Sequence, residues 1–332
     1  MLNRGSLTLI FVMGILLIVT TWYAANLSQI MPFLGAQLTN IGSLESGEIV
    51  QTNAVGGVAY QGSVVAATEA GNGDITFSGL NLLSLSQTGP AWTLTSPSGM
   101  TEDHNNYIKL MGGVHLSRPG DGKNPPLQII TESALIDTNQ KMITGSGQIT
   151  FTETGTQNET QAVGFVALIQ TKMIKLLDQV DSRYIQNNLL IHVTSKEAVV
   201  NAVKGLATYS GDVVVVQGER KLMSKTLTVH RGQNGQIESF VAIGKPAKTQ
   251  DRPSEKSGMA YGQADNIYYY PGDALVKYVN QARFTQGGNV LMGDELNYNI
   301  TTQVVSSPKV SQETGNTTII LPPYIDQKKG NS

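Results

Sequence analysis

The chain contains no cysteine, which excludes disulfides and thiolate metal sites outright. Charge is scarce as well: 14% of the 332 residues are Asp, Glu, Lys or Arg, and the formal net charge is −2. That balance argues against a nucleic-acid partner, which needs a basic face. The histidines His104, His115, His192 and His230 show no metal-ligand spacing; His115 and His230 alternate with apolar neighbours, as solvent-facing strand residues do. There is no Gly-x-Ser-x-Gly nucleophile elbow. Gly122-Lys123 and Gly244-Lys245 lack the upstream glycine and following Ser/Thr of a phosphate loop. No catalytic set, cofactor or metal site emerges, so the chain reads as a non-enzyme whose work is powered by a partner. Sustained helical periodicity is also missing from Gly47 onward, and with it the crossover helices of a parallel sheet.

What the chain does have is 40% hydrophobic residues and 35 glycines, a composition that suits a glycine-turned all-β protein. The organising stretch is Lys277–Gln286. Val276, Tyr278, Ala282 and Phe284 share one parity, and Lys277, Gln281, Arg283 and Thr285 the other, so one strand face is apolar and the other wet. Asn280 interrupts the apolar face, where a small polar residue marks a bulge or bend. The pattern returns at 110–116, 176–182 and 209–215, with Ser182 standing where the other copies carry a large apolar residue. A second phrase, Ala264-Asp265-Asn266-Ile267-Tyr268-Tyr269, reappears 29 residues on as Gly293-Asp294-Glu295-Leu296-Asn297-Tyr298. Asp265 and Asp294 are thereby equivalent positions beside turns or bulges, which reads as structural rather than acid–base. Repetition on this scale fits stacked hairpins that bury one face against their neighbours; an ordinary β-meander with recurrent turn chemistry is the alternative.

The start of the chain differs. Leu7–Ala25 is an uncharged, mostly apolar run of 19 residues, long enough to cross roughly 30 Å of hydrocarbon as a helix. Trp22 and Tyr23 sit at its far end, and Arg4 is the only basic residue before Lys109. This predicts an uncleaved single-pass anchor over residues 1–28, its N-terminus cytoplasmic and the bulk of the chain outside. A cleaved signal peptide is the alternative; cleavage after Ala25 or Ala36 places Tyr23 or Leu34 where a small residue belongs. Gln29–Ser46 reads as a connector. A first series of strands follows: Gly57–Ala67, Asp74–Ser86, Ala91–Ser96, Tyr107–Ser117, Leu127–Asp137, Lys141–Thr152, Ala162–Gln170 and Met173–Tyr184. A second series comprises Ile191–Val193, Val203–Gln217, Lys221–His230, Ile237–Ile243, Gly258–Tyr270, Ala274–Gln286, Val290–Tyr298, Gln303–Val305 and Thr317–Leu321. Lys245, Lys248, Arg252 and Lys256 read as a solvated rim around a loop. Gln186-Asn187-Asn188 joins the series and is too short for a flexible tether. Domains of 29–188 and 189–325 and a frayed tail of 326–332 follow.

The second series resembles the LptA, or OstA-like, domain of lipopolysaccharide transport. The likeness is carried by Tyr209-Ser210-Gly211-Asp212-Val213, Ile243-Gly244-Lys245-Pro246-Ala247, the two repeated Asp phrases, and Asn280-Gln281-Ala282-Arg283-Phe284-Thr285-Gln286. The first series looks like LptC. Trp92-Thr93-Leu94 with Gly99, Leu110-Met111-Gly112-Gly113-Val114 and Pro126-Leu127-Gln128-Ile129-Ile130-Thr131 carry that likeness. Ala162-Val163-Gly164 and Leu176-Leu177-Asp178-Gln179-Val180 with Arg183-Tyr184 extend it, whereas residues 46–90 match poorly. The two families are ordinarily separate proteins, so the chain looks like a fusion.

The resemblance implies two stacked open antiparallel β-jellyrolls, LptC-like then LptA-like, after one transmembrane helix. It implies an apolar groove for lipopolysaccharide acyl chains, which the apolar stripes match, although a closed core has the same periodicity. The expected groove residues are Leu110, Val114, Leu116, Leu176, Val180, Tyr209, Val213, Val215, Leu227, Val229, Ile267, Tyr269, Tyr278, Ala282, Phe284, Leu296 and Tyr298. The implied partners are lipopolysaccharide, an inner-membrane ABC transporter resembling LptB, LptF and LptG, and an LptD-like outer-membrane translocon or further LptA-type domains. No cofactor is implied. An edge pairing near Ile191–Val193 is expected to make the two grooves one path, leaving a free edge near Thr317–Leu321. The rival reading is a scaffolding envelope protein with closed cores.

Overall fold

Alternation of apolar and polar residues sets the strands, and the places where alternation slips set the bends. The computed structural model describes residues 40–52, 58–84, 91–103, 106–120, 125–137, 139–168, 171, 173–186, 189–201, 204–232, 237–252, 258–308 and 317–320. The expected anchor Leu7–Ala25, His104, Lys256 and the tail 326–332 lie outside these residues. Among the described residues no helix is long and apolar enough to cross a membrane. The architecture is all-β and antiparallel, as expected, and it divides into two units.

The first unit runs up to Asn188 and takes in Lys196–Leu206. Its strands are β1 (Asn40–Thr52), β2 (Val58–Ala70), β3 (Ile75–Ser84), β4 (Trp92–Glu102), β5 (Tyr107–Arg118), β6 (Leu127–Asp137), β7 (Met142–Glu153), β8 (Glu159–Leu168) and β9 (Met173–Gln186). Each pairs with the next in chain order. The second unit holds Leu189–Ser195, which is β10, and the chain from Ala207. Between them, β11 (Glu197–Asn201) returns to the first unit and pairs with β9, Ala198 opposite Leu176. In the second unit β10 pairs with β12 (Leu206–Gln217), His192 opposite Val216. The unit continues with β13 (Arg220–Arg231), β14 (Ile237–Asp251), β15 (Ala260–Tyr270), β16 (Leu275–Gln286) and β17 (Asn289–Asn299). From β13 to β17 each strand pairs with the next, and the short β18 (Val304–Ser306) and β19 (Thr318–Ile320) both pair with β17.

The repeated phrase marks the mid-strand bulges. In β16 the register slips between Val279 and Ala282, and the two residues between them, Asn280 and Gln281, are both left-handed (φ 65 and 53). The bulge swings Asn280 out to solvent and returns Ala282 to the buried face. Asp294 lies opposite this bulge and Asp265 inside the corresponding slip of β15. The other copies carry left-handed residues at the same place: Gly112 and Gly113 in β5, Gln179 in β9, and Gly211 with Asp212 in β12. Adjacent strands slip alongside them, at 95/98, 131/135, 145/148 and 161/163 in the first unit and 223/226, 243/247 and 263/266 in the second. A line of bulges thus runs across β4 to β9 in the first unit and β13 to β17 in the second, and divides those strands into two halves.

The bulges also explain where sequence reasoning ended strands too early. The expected strand Ala91–Ser96 stops before Pro97, yet β4 continues to Glu102. Pro97 sits in the slip between Thr95 and Ser98, where a missing N–H costs no ladder bond, and Ser96 Oγ donates to the Ser98 and Met111 carbonyls at 2.8 and 3.2 Å. Pro246 occupies the same situation in β14, which runs on to Asp251. Lys245 and Lys248 are thus exposed strand residues rather than a rim around a loop, and Arg252 is paired with Glu219 at 3.1 Å. Two further strands are corrections. β1 begins at Asn40, inside the expected connector; its Gly, Ser and Glu content hid an edge strand that is mostly exposed. The expected strand start at Val203 moves to Leu206, and the unpredicted β11 precedes it.

The core follows the inward parity. Trp92, Leu82, Ile108, Leu110, Ile136 and Leu176 are fully enclosed in the first unit, and Leu227, Tyr278 and Tyr298 in the second. Ser182 is also fully buried, and it survives there because Thr160 Oγ1 donates to its hydroxyl at 3.1 Å. His115 is exposed and His230 half-buried.

Candidate functional site

In the second unit the inward parity carries aromatic rings on both sides of the bulge line. Tyr278 precedes the β16 bulge and Phe284 follows it; their rings meet edge-on with centroids 6.1 Å apart. Phe284 packs in turn on Tyr298 of β17 at 4.9 Å. Phe240 and Tyr269, directly opposite each other on β14 and β15, stack at 5.6 Å. The Tyr278 hydroxyl bonds Thr249 Oγ1 at 2.7 Å. The Tyr278 ring lies over Gly262, where a Cβ would overlap it, so only glycine fits. Thr249 and Gly262 are register partners in one half of the folded sheet, and Tyr278 belongs to the other half. These contacts bring the two halves face to face.

Between the halves lies a cavity of ≈ 110 Å³. Its lining is mostly apolar, from Val215, Leu222, Phe240, Ile267, Val276 and Phe284. Polar residues gather at the adjoining ends of β13 and β14, where Arg220 Nε donates to Asp251 Oδ1 at 3.1 Å. Burial drives the Tyr278 phenol well above its ordinary value near 10, against the lowering effect of its bond with Thr249. Burial and then the Asp251 charge push Tyr298 up to about 12. Tyr269 is raised by burial as well, with Arg220 opposing. A space of this size exceeds what one water needs, and its apolar walls suit an apolar ligand. Among the described residues no three His, Cys, Asp or Glu side chains could hold a metal ion together.

Of the seventeen residues expected to face lipid, six line this cavity: Val215, Ile267, Tyr269, Tyr278, Phe284 and Tyr298. Tyr209, Val213, Leu227, Ala282 and Leu296 are buried and Val229 half-buried in the same unit, outside the cavity lining. Leu110, Val114, Leu176 and Val180 are buried and Leu116 half-buried in the first unit. Of the apolar lining residues, sequence reasoning missed Ile191, Leu222, Phe240, Ala260, Val276 and Ile300 as groove residues. Phe240 shares parity with Ala242 along β14 and was within reach of the alternation argument. The Arg220–Asp251 pair carried no signal, since the partners are 31 residues apart and meet only through strand pairing.

Residues 192–304 match the family model described as LptA/(LptD N-terminal domain) LPS transport protein. Residues 51–185 match the model described as lipopolysaccharide-assembly, LptC-related. The chain is 32% identical over 121 residues to the lipopolysaccharide export system protein LptH of Pseudomonas aeruginosa, covering 36% of this chain and 69% of that protein. The crystal structure of LptH, the LptA-homologous periplasmic component from the same organism, aligns with 28% identity and a TM-score of 0.37, covering 40% of this chain and 95% of the other. The chain therefore belongs to the LptA-type family of lipopolysaccharide-transport proteins, with an LptC-related segment preceding the LptA-type one.

Proposed function

We propose that this protein is a membrane-anchored bridge for lipopolysaccharide in the cell envelope. It takes the lipid from an inner-membrane ABC transporter of the LptB, LptF and LptG kind. It passes the lipid through its LptC-like and then its LptA-like unit, each an open β-jellyroll, towards an LptD-like translocon or a further LptA-type domain. The acyl chains ride on the apolar inner faces while the sugars stay in water. The observation that carries this reading is the aromatic-walled cavity between the two halves of the second unit.

The physical need is plain. Exposing each methylene to water costs about 0.8 kcal/mol, so a lipid with many methylenes does not cross an aqueous gap unaided at a useful rate. A protein with an apolar trough keeps that cost nearly constant from one position to the next and needs no catalytic group. Both matching families are transport and assembly families, which agrees with that chemistry. The inner-membrane anchor is assigned to Leu7–Ala25, with the N-terminus in the cytoplasm.

Native mass spectrometry of the full chain extracted from its own membrane tests both parts. The expected spectrum shows an intact chain beginning at residue 1 with lipopolysaccharide retained. A chain beginning near Asn26 or Gln37 contradicts the anchor, and a lipid-free chain contradicts the conduit.

A further inference from the structure

The inner face of the first unit ends in a charge. After the β5 bulge the inward parity runs Val114, Leu116, Arg118, so a guanidinium closes an apolar stripe. The group lies over the Trp92 ring, 5.7 Å from its centroid, and Trp92 is fully enclosed. Arg118 Nη2 donates to the Pro125 carbonyl at 3.1 Å. Its Nε is buried and has no hydrogen-bond partner. Among the described residues no carboxylate forms an ion pair with it. Glu153, two strands away in the same register row, is held by Asn158 Nδ2 at 2.6 Å. A half-buried guanidinium with an idle donor and no counter-ion is costly alone and is relieved by an anion. Arginine presents its donors in a flat fork that suits phosphate, and stacking on the indole fixes the plane of that fork.

We propose that Arg118, held on Trp92, binds the phosphate headgroup of an amphiphile whose chains lie along the apolar inner face of the first unit. A phosphate monoester carries about −1.5 to −2 charge at pH 7 and so balances the guanidinium. One of its oxygens takes the open Nε donor while the others stay in water. The proposal rests on the reading of the inner faces as an acyl-chain path and adds the place where the charged head stops. One charge-assisted hydrogen bond gives a preference of about tenfold.

The test uses the full chain in neutral dodecyl maltoside micelles, photolabelled with a diazirine-bearing dodecyl phosphate, and reads the labelled peptides of β4 to β6. Dodecyl phosphate, dodecanol and inorganic phosphate serve as competitors. The quantity read is the half-maximal concentration of dodecanol divided by that of dodecyl phosphate, compared between wild type and variant so that partition into the micelle cancels. Arg118→Met should lower this ratio about tenfold. Arg118→Lys keeps the charge but loses the flat fork and should lower it about threefold, which decides the matter should R118M not fold. Lys109→Met, on the exposed face of the same strand, should leave the ratio unchanged. Saturable labelling with a ratio that does not fall in the Arg118 variants, or falls equally in K109M, overturns the proposal and leaves the acyl-chain path standing. Inorganic phosphate competing as well as dodecyl phosphate makes this a site for the free ion and overturns the headgroup assignment. The absence of saturable labelling overturns both the proposal and the path.

Discussion

Thr249→Val probes the polar link between the two halves of the second unit. Valine keeps the shape of threonine, so no cavity opens; the change leaves the Tyr278 hydroxyl buried without its partner at 2.7 Å. An unpaired buried hydroxyl costs about 1–3 kcal/mol. The reverse change, Tyr278→Phe, is milder, because Thr249 Oγ1 keeps a second acceptor in the Gly262 carbonyl at 3.5 Å. Its expected cost is about 0.5–1.5 kcal/mol. The double variant removes both polar groups from an apolar surrounding and should cost less than the two single changes summed, with a coupling of about 1–3 kcal/mol. Hydrogen exchange followed by mass spectrometry reads this locally, on peptides covering β14 to β16 of the full chain. Costs that simply add, or a T249V cost below about 0.5 kcal/mol, would refute the idea that this bond joins the halves.

Two other outcomes follow from named residues. Gly113 sits at φ 103 in the β5 bulge with only His115 Nε2 near the place of a Cβ, so Gly113→Ala is strained through its backbone alone and should cost at least about 1 kcal/mol. Gly42→Ala, with open space and no such φ, should be close to neutral by the same exchange measurement. Tyr298 makes stability alkaline-sensitive. Its folded pKa of about 12 exceeds the unfolded value near 10, so its contribution is whole below pH 10 and is lost as pH rises through 12. Absorbance titration at alkaline pH should show one late-titrating phenol fewer in Y298F, with Tyr278 and Tyr269 still titrating late; an unchanged number would contradict the assignment.

The strands were legible wherever one face alternates cleanly, as in β16, where Val276, Tyr278, Ala282 and Phe284 are all buried. The bulge at Asn280 was legible too, because a small polar residue broke the stripe. Pro97 and Pro246 misled the reading, since a proline ends a regular strand and tertiary structure here absorbs it in a bulge. Ser182 was visible as an exception in the repeat; its partner Thr160, on β8, was not, because a cross-strand hydroxyl bond leaves no mark in either segment. The cavity was half legible. Parity identified Tyr269, Tyr278, Phe284 and Tyr298 of its aromatic wall but not Phe240; Arg220, Asp251 and Thr249 enter through contacts between distant strand ends, and period-two reasoning says nothing about which inward residues leave space between them.

The most direct test of the conduit is the contrast between adjacent residues of β16. Tyr278 is buried against Phe284 on the inner face, whereas Lys277 lies on the opposite face with its ammonium over the Tyr270 ring at 5.9 Å. A photo-crosslinking amino acid placed at each position in living cells, and repeated at the pair Phe284 and Arg283, reports which face meets lipid. Capture of lipopolysaccharide at Tyr278 and Phe284, and not at Lys277 or Arg283, is the predicted result. Equal capture on both faces, or capture on the outer face alone, would contradict the account.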